Sequence, residues 1–205
     1  MGEIFDFGRN VSRETSDRFE GYVSILRKWN PAINLVARST IDDVRRRHLA
    51  DSVQIFDLAP PVARTWTDLG SGGGFPGLVA AILAADERPD LRVTLVESDQ
   101  RKAAFLDTVS RELGLTTEVR AERIEALEPL KAEVVSARAL APLATLVRFA
   151  DRHLATGGVA LFPKGANHQV EIDQALEDWK FSYQKTPSRT DPDAVILTIG
   201  GITRV

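Results

Sequence analysis

Asp68, Gly70, Gly72 and Gly74 stand at alternate positions in Thr65-Trp66-Thr67-Asp68-Leu69-Gly70-Ser71-Gly72-Gly73-Gly74-Phe75-Pro76-Gly77. An acid followed by four glycines in five residues can wrap main chain closely around a ligand, because glycine adopts dihedrals closed to other residues. Glu97 closes the next apolar run, Leu91-Arg92-Val93-Thr94-Leu95-Val96. A carboxylate at a second strand's end can accept from both hydroxyls of a ribose. The chemistry suggested is the holding of a nucleoside.

These residues need a strand, a turn and a helix to hold them. Residues 65–69 favour β structure, and Pro76 falls where a helix can begin, since the first helical position needs no N–H. Leu91 to Glu97 alternates and then turns apolar, as a buried parallel strand does. Ser98 or Asp99 caps a helix over about 100–113 that Gly114 ends. A strand around 117–121, a turn or helix near 124–128, a strand at 132–136 and a helix over about 141–154 follow. Gly157-Gly158 turns the chain into a fifth strand, 159–162; a helix at 170–177 and strands near 180–185 and 194–199 complete it. Upstream, Ser12 caps a helix carrying Phe19, Tyr22, Leu26 and Trp29 at helical spacing, which Asn30-Pro31 stops. A second helix, about 40–58, ends before Pro60-Pro61. The pattern predicts an α/β fold: a doubly wound, mostly parallel sheet with a C-terminal antiparallel hairpin and an N-terminal helical extension. Residues 1–61 form the extension packed on the core and 62–205 the ligand-binding domain, one structural unit overall.

Two registers fit the glycines. Gly72-x-Gly74-x-x-Gly77 matches the dinucleotide pattern G-x-G-x-x-G. In that register Pro76 has no N–H for a pyrophosphate and the Phe75 ring crowds it. Asp68-x-Gly70-x-Gly72-x-Gly74 resembles instead the acidic-G-x-G-x-G loop of class I S-adenosylmethionine methyltransferases. There the acid at the strand end can accept from the ligand's ammonium group, and no phosphate is required. This Rossmann-like register is favoured.

Composition narrows the alternatives. The 205 residues suit one α/β domain with an appended segment. The absence of cysteine excludes disulfides, cysteine zinc sites and thiol nucleophiles, and His48, His153 and His168 are too scattered to suggest a metal. Glu3, Asp6 and Arg9 make the N-terminus unlike a secretory leader, and the longest apolar run, residues 78–85, cannot span a bilayer. A cytoplasmic protein without membrane contact is expected. The net charge of −3 hides a basic segment in which Arg27, Lys28, Arg38, Arg45, Arg46 and Arg47 face only Asp42 and Asp43. A local basic face on an acidic chain suits docking of a structured polyanion, and it equally suits a solvated helix face.

Several motifs then coincide in order: Asn34-Leu35, Arg47-His48-Leu49-Ala50-Asp51-Ser52, the glycine loop, Arg123-Ile124-Glu125, Ser136-Ala137-Arg138-Ala139 and Lys164-Gly165. From about Trp29 onward this set resembles the glucose-inhibited division protein B family of bacterial small-subunit ribosomal RNA guanine-N7 methyltransferases. The resemblance implies transfer of a methyl from S-adenosylmethionine to N7 of guanine 527, in ribosomal numbering, in a decoding-site loop of 16S rRNA. The implied partner is 16S rRNA or the small ribosomal subunit or its assembly intermediate, and the expected working unit is a monomer without metal. Carried over by position, Gly70 and Phe75 would contact the cofactor, Ile124 and Glu125 would lie near its adenine, and Arg138 would line the pocket. Gly72, Gly74 and Glu97 join them on the physical argument above. Gly73, where relatives often have proline, and Glu97, where aspartate is common, depart from the family pattern.

The segment after the fourth strand fits this chemistry. Methylating an exocyclic amine commonly uses an Asn/Asp-Pro-Pro-aromatic loop there, and this chain has Ser136-Ala137-Arg138-Ala139. Guanine N7 already presents an in-plane lone pair, so no general base is assigned and catalysis can rest on positioning and electrostatics. Arg138 is the positioning candidate, toward guanine O6 or the cofactor carboxylate. Candidate RNA contacts are Arg45, Arg46, Arg47, His48 and Lys164. His48 and Asp51, three apart on a helix, could instead form a structural pair, and Trp29 and Trp66 read as core. Rival readings are a methyltransferase for another substrate, an NAD-dependent oxidoreductase, and a non-catalytic module that binds S-adenosylmethionine.

Overall fold

Residues 9–205 are described by the structure, a computed structural model; Glu3 and Asp6 lie outside them. Strands β1 (Thr65–Leu69), β2 (Arg92–Val96), β3 (Thr117–Arg120), β4 (Ala132–Ser136), β5 (Leu154–Lys164), β6 (Trp179–Pro187) and β7 (Val195–Arg204) form one sheet in the order β3-β2-β1-β4-β5-β7-β6. The first five are parallel, and β7 runs antiparallel to both β5 and β6. This is the expected α/β sheet with its C-terminal hairpin. The strand order reverses between β1 and β4, so a crevice opens at their carboxyl ends.

The two sheet faces bury different cores. Side chains alternate along each strand, and Trp66, Val93, Leu95 and Val134 point to one side while Leu69, Val96 and Val135 point to the other. The first side is covered by α1 (Arg13–Ile33), α2 (Ala50–Leu58), α3 (Gly77–Glu87) and α4 (Gln100–Glu112). The second is covered by α5 (Leu143–His153) and α6 (His168–Asp178). Phe19, Tyr22 and Leu26 of α1 share one core with Leu78 and Ile82 of α3 and Phe105 of α4, so the extension is packed into the sheet's own interior.

Three elements differ from the sequence reading. Ser12 caps α1 as expected, its hydroxyl accepting from Thr15 N–H, but the helix continues through Pro31 and ends at Asn34, whose φ is 50°. Close to a helix end a proline forfeits one hydrogen bond only, and the Asn30 side chain secures the exit by accepting from Val36 N–H at 2.9 Å. The second helix is broken into a single 3-10 turn, Arg38–Thr40, a wide π turn, Arg45–Leu49, and then α2. In the π turn Ala50 N–H reaches back five residues to the Arg45 carbonyl, which re-aims the side chains before it. Gly157 and Gly158 lie inside β5, where the pairing with β4 shifts register, and not in a turn ahead of it. A Cβ on Gly158 would sit 3.0 Å from the Glu133 carbonyl oxygen, so glycine is what permits this irregular pairing.

Candidate active site

The β1–α3 turn is held from below by a buried carboxylate. Trp66 Nε1 donates to Ser136 Oγ at 2.8 Å, Ser136 Oγ donates to Asp68 Oδ1 at 2.6 Å, and Gly77 N–H donates to Asp68 Oδ2 at 3.2 Å. Asp68 is fully buried, and burial lifts its pKa to about 6 against these hydrogen bonds. The expectation that Asp68 meets a ligand's ammonium is therefore corrected: it fastens β1, β4 and the start of α3 together.

Gly74 is corrected in the same way. A Cβ there would lie 2.4 Å from Leu78 and 2.9 Å from the Tyr22 hydroxyl, so Gly74 faces the core and not the ligand side. Gly72 faces the opening; nothing lies within 3.8 Å of a Cβ there, and its φ of 52° is what demands glycine. The extension clasps the loop from outside. The buried Tyr22 hydroxyl donates to the Gly73 carbonyl, and the Tyr22 and His48 rings each lie 5.3 Å from that of Phe75.

Above this base lies a cavity of about 550 Å³. Gly70, Gly72, Phe75, Glu97, Ile124, Glu125 and Arg138, all named from the sequence, line it together. Glu97 is buried at the end of β2, with Oε2 accepting from Gly72 N–H at 2.9 Å and Oε1 from Asp99 N–H at 2.8 Å. Ile124 and Glu125 sit on a turn whose Ile124 carbonyl is bonded by His153 Nε2 at 3.1 Å. Burial lowers the pKa of His153, keeping it a neutral strut. Arg138 lies 5.1 Å over the Phe75 ring, and its guanidinium makes no ion pair among the described residues. Burial lowers its pKa, opposed chiefly by the charges of Asp51 and Asp68. Next to it Ala139 takes a left-handed φ of 52°, a strained conformation for a residue with a Cβ, where the chain leaves β4. Lys102 and Arg148 also line the cavity and were missed. Both were visible as helix cations, but nothing local told which helix face they occupy.

The basic segment is less uniform than its composition. Arg45 bonds Glu20 of α1 at 2.6 Å, and Arg46 pairs with Asp43 at 3.2 Å. Arg47 is exposed, and the Arg38 side chain lies outside what the structure describes. His48 Nε2 is 3.0 Å from Thr40 Oγ1, and burial together with Arg138 and Arg47 lowers its pKa to about 4. It does not pair with Asp51, which is bonded by the Thr190 and Ser188 hydroxyls. Lys164 is also corrected: only 9% of its side chain is exposed, and its ammonium binds Glu171 at 2.6 Å and the Ala141 carbonyl at 3.0 Å. It braces β5 against α6 and offers no open cation to a phosphate. Trp66 is a buried core residue, and Trp29, half-buried, packs edge-on to Phe105 at the margin of the same core.

Strand order, glycine loop and strand-end acid define a class I methyltransferase fold. The ribosomal protein L11 methylase from Lactobacillus delbrueckii subsp. bulgaricus shares this fold at a TM-score of 0.60, with 19% identity, over 75% of this chain and 78% of that one. The particular family is resolved by sequence: the GidB model, described as rRNA small subunit methyltransferase G, matches residues 15–192, and the chain belongs to this family. Ribosomal RNA small subunit methyltransferase G of Ruegeria pomeroyi is 53% identical over 196 residues, covering 96% of each chain. Its namesake in Paracoccus denitrificans is 53% identical over 194 residues, 94% of this chain and 98% of the relative. Among the described residues no helix is long and apolar enough to cross a membrane, and no group of three potential ligands could hold a metal ion.

Proposed function

We propose that this enzyme methylates N7 of guanine 527, in ribosomal numbering, in the decoding-site loop of 16S rRNA, using S-adenosylmethionine and working as a monomer in the cytoplasm. One observation carries the reading: the Gly70–Gly72 main chain, the Glu97 carboxylate and the Arg138 guanidinium converge on a single cavity at the carboxyl ends of β1 and β4. A nucleoside with an amino-acid tail fits that donor and acceptor set. S-adenosylmethionine supplies a methyl on a sulfonium, which the N7 lone pair accepts as the carbon–sulfur bond breaks with its electrons left on sulfur.

The chain's own residues bind and orient. Glu97, held by Gly72 and Asp99 N–H groups, keeps lone pairs for the ribose hydroxyls. Ile124 supplies an apolar flank for the adenine, with Glu125 beside it. Arg138, without a protein counter-ion at bonding distance, is open to the cofactor carboxylate. No residue need remove a proton, since N7 carries none; the work is positioning and electrostatics. The Ser136-Ala137-Arg138-Ala139 segment offers no pair of acceptors to orient an exocyclic amine, which favours a ring nitrogen.

The test is methyl transfer from labelled S-adenosylmethionine to small subunits lacking the modification, with the product located by N7-specific cleavage. A single modified guanine in the decoding-site loop is expected. Label elsewhere, or no transfer with cofactor binding intact, would refute the assignment.

A further inference from the structure

Asp51 stands outside the cofactor cavity, and one of its oxygens is committed. Oδ1 accepts from the Thr190 hydroxyl and, at 3.4 Å, from that of Ser188, while Oδ2 accepts from no described group. The carboxylate lines a second cavity of about 370 Å³, whose walls include Arg138, Ala139, Pro163 and Lys164. Arg138 and Ala139 line the cofactor cavity as well, so the two spaces meet along the segment that leaves β4. Lys164 is occupied by Glu171, and Asp191 is exposed at the rim with an oxygen on Asp193 N–H at 3.0 Å. Glu171, which also lines the cavity, is neutralised by Lys164 at Oε2, so the interior charges of the second cavity that make no ion pair among the described residues are Asp51 and Arg138.

We propose that the second cavity receives the acceptor guanine and that Asp51 reads it, accepting hydrogen bonds from N1–H and the 2-amino group. The proposal rests on the methyl-transfer reading above. A methyl arriving at N7 requires the imidazole side of the base to face the cofactor cavity. The usual arginine contact to guanine spans O6 and N7 together, and here it would cover the lone pair that must react. Recognition has to come from the opposite edge, where guanine presents two adjacent donors. A carboxylate offers two acceptors and no donor, so it matches that edge, whereas adenine would turn an N1 lone pair toward it. The base must leave its stack to enter such a cavity.

The reaction adds a second reason. Transfer moves the sulfonium's positive charge onto the purine, which makes N1–H more acidic. A carboxylate on that proton binds more strongly as the methyl moves, so its contribution is larger in the transition state than in the ground state.

The experiment uses small subunits reconstituted on 16S rRNA carrying guanosine, inosine or 1-methylguanosine at the acceptor position. Inosine lacks the 2-amino group and 1-methylguanosine lacks N1–H. The wild-type enzyme is expected to methylate guanosine and to lose roughly 10-fold or more in kcat/KM on each analogue, the scale of one base contact. Asp51→Asn should lower kcat/KM on guanosine by roughly 10- to 100-fold, leave calorimetric S-adenosylmethionine affinity intact and erase the inosine penalty. If the variant fails to fold, the wild-type series still decides. Equal wild-type rates on all three bases would overturn the role of Asp51 and leave N7 methylation standing. No transfer to guanosine at all would overturn the underlying function instead.

Discussion

Asp68→Asn separates a carboxylate that holds the fold from one that holds a ligand. Asp68 is fully buried, and burial raises its pKa from 3.8 to about 6. A raised folded-state pKa means that the folded protein binds this proton more tightly than the unfolded chain. Stability from the group is then complete below the unfolded value near 3.8 and is lost as pH rises through about 6. A separation of about two units, at ~1.4 kcal/mol each, makes the loss roughly 3 kcal/mol. His48 acts in the opposite direction. Its pKa is lowered from 6.5 to about 4 by burial, Arg138 and Arg47, so its contribution appears as pH rises across that window. The wild-type profile therefore combines two opposed slopes, and the difference between wild type and Asp68→Asn isolates one of them. Urea unfolding from pH 4 to 8 should show that difference falling by roughly 2 kcal/mol between pH 4 and pH 7, the rest lying below pH 4. S-adenosylmethionine affinity, measured by calorimetry, should stay within a few-fold. A pH-independent difference would refute the assigned burial effect. Loss of cofactor binding in a stably folded variant would return Asp68 to the ligand.

Glu97→Gln keeps the side chain's shape but leaves Gly72 N–H or Asp99 N–H facing an amide donor. The cofactor Kd should rise roughly 10- to 100-fold, the scale of one or two charged hydrogen bonds, and a Kd unchanged in calorimetry would remove Glu97 from the ribose site. Gly77→Ala places a Cβ 2.4 Å from Leu95 Cδ2 and 2.7 Å from Asp68 Cβ. Overpacking of about 1–3 kcal/mol should appear in denaturant titrations, and wild-type stability would mean that α3 shifts freely on the sheet. Arg47→Ala should reduce the salt slope of RNA binding by about 0.7 to 0.9, while Arg45→Ala, which frees Glu20, should chiefly lower the Tm. An unaltered salt slope would make Arg47 mere solvated surface.

Much of the sheet was legible because its signals are local. The alternation of β1 and β2, the glycines after Leu69 and the acid after Val96 each follow from neighbours in the chain, and they suffice to bring Gly70, Gly72 and Glu97 to one cavity. The role of Asp68 was readable in principle, since period two puts it on the same strand face as the buried Trp66. Other features depend on distant partners. Asp51 meets Thr190 and Lys164 meets Glu171 through the tertiary fold, so charge and spacing alone misjudged the lysine. The π turn at Arg45–Leu49 lies in sequence with ordinary helical composition, and the partners its side chains meet, Glu20 for Arg45 and Phe75 for His48, are remote in the chain.

The clasp on the glycine loop makes the extension and the cofactor site one thermodynamic object. Tyr22 holds the Gly73 carbonyl and His48 lies on Phe75, while the neighbouring Arg47 points to solvent. His48 follows Arg47 directly, so an anion held at Arg47 would sit one residue from a side chain that packs on the glycine loop. Binding free energies are reciprocal, so whatever factor RNA contributes to cofactor affinity, the cofactor must return to RNA affinity. If that factor exceeds one, each ligand tightens the other, and if it is below one, each loosens the other by the same amount.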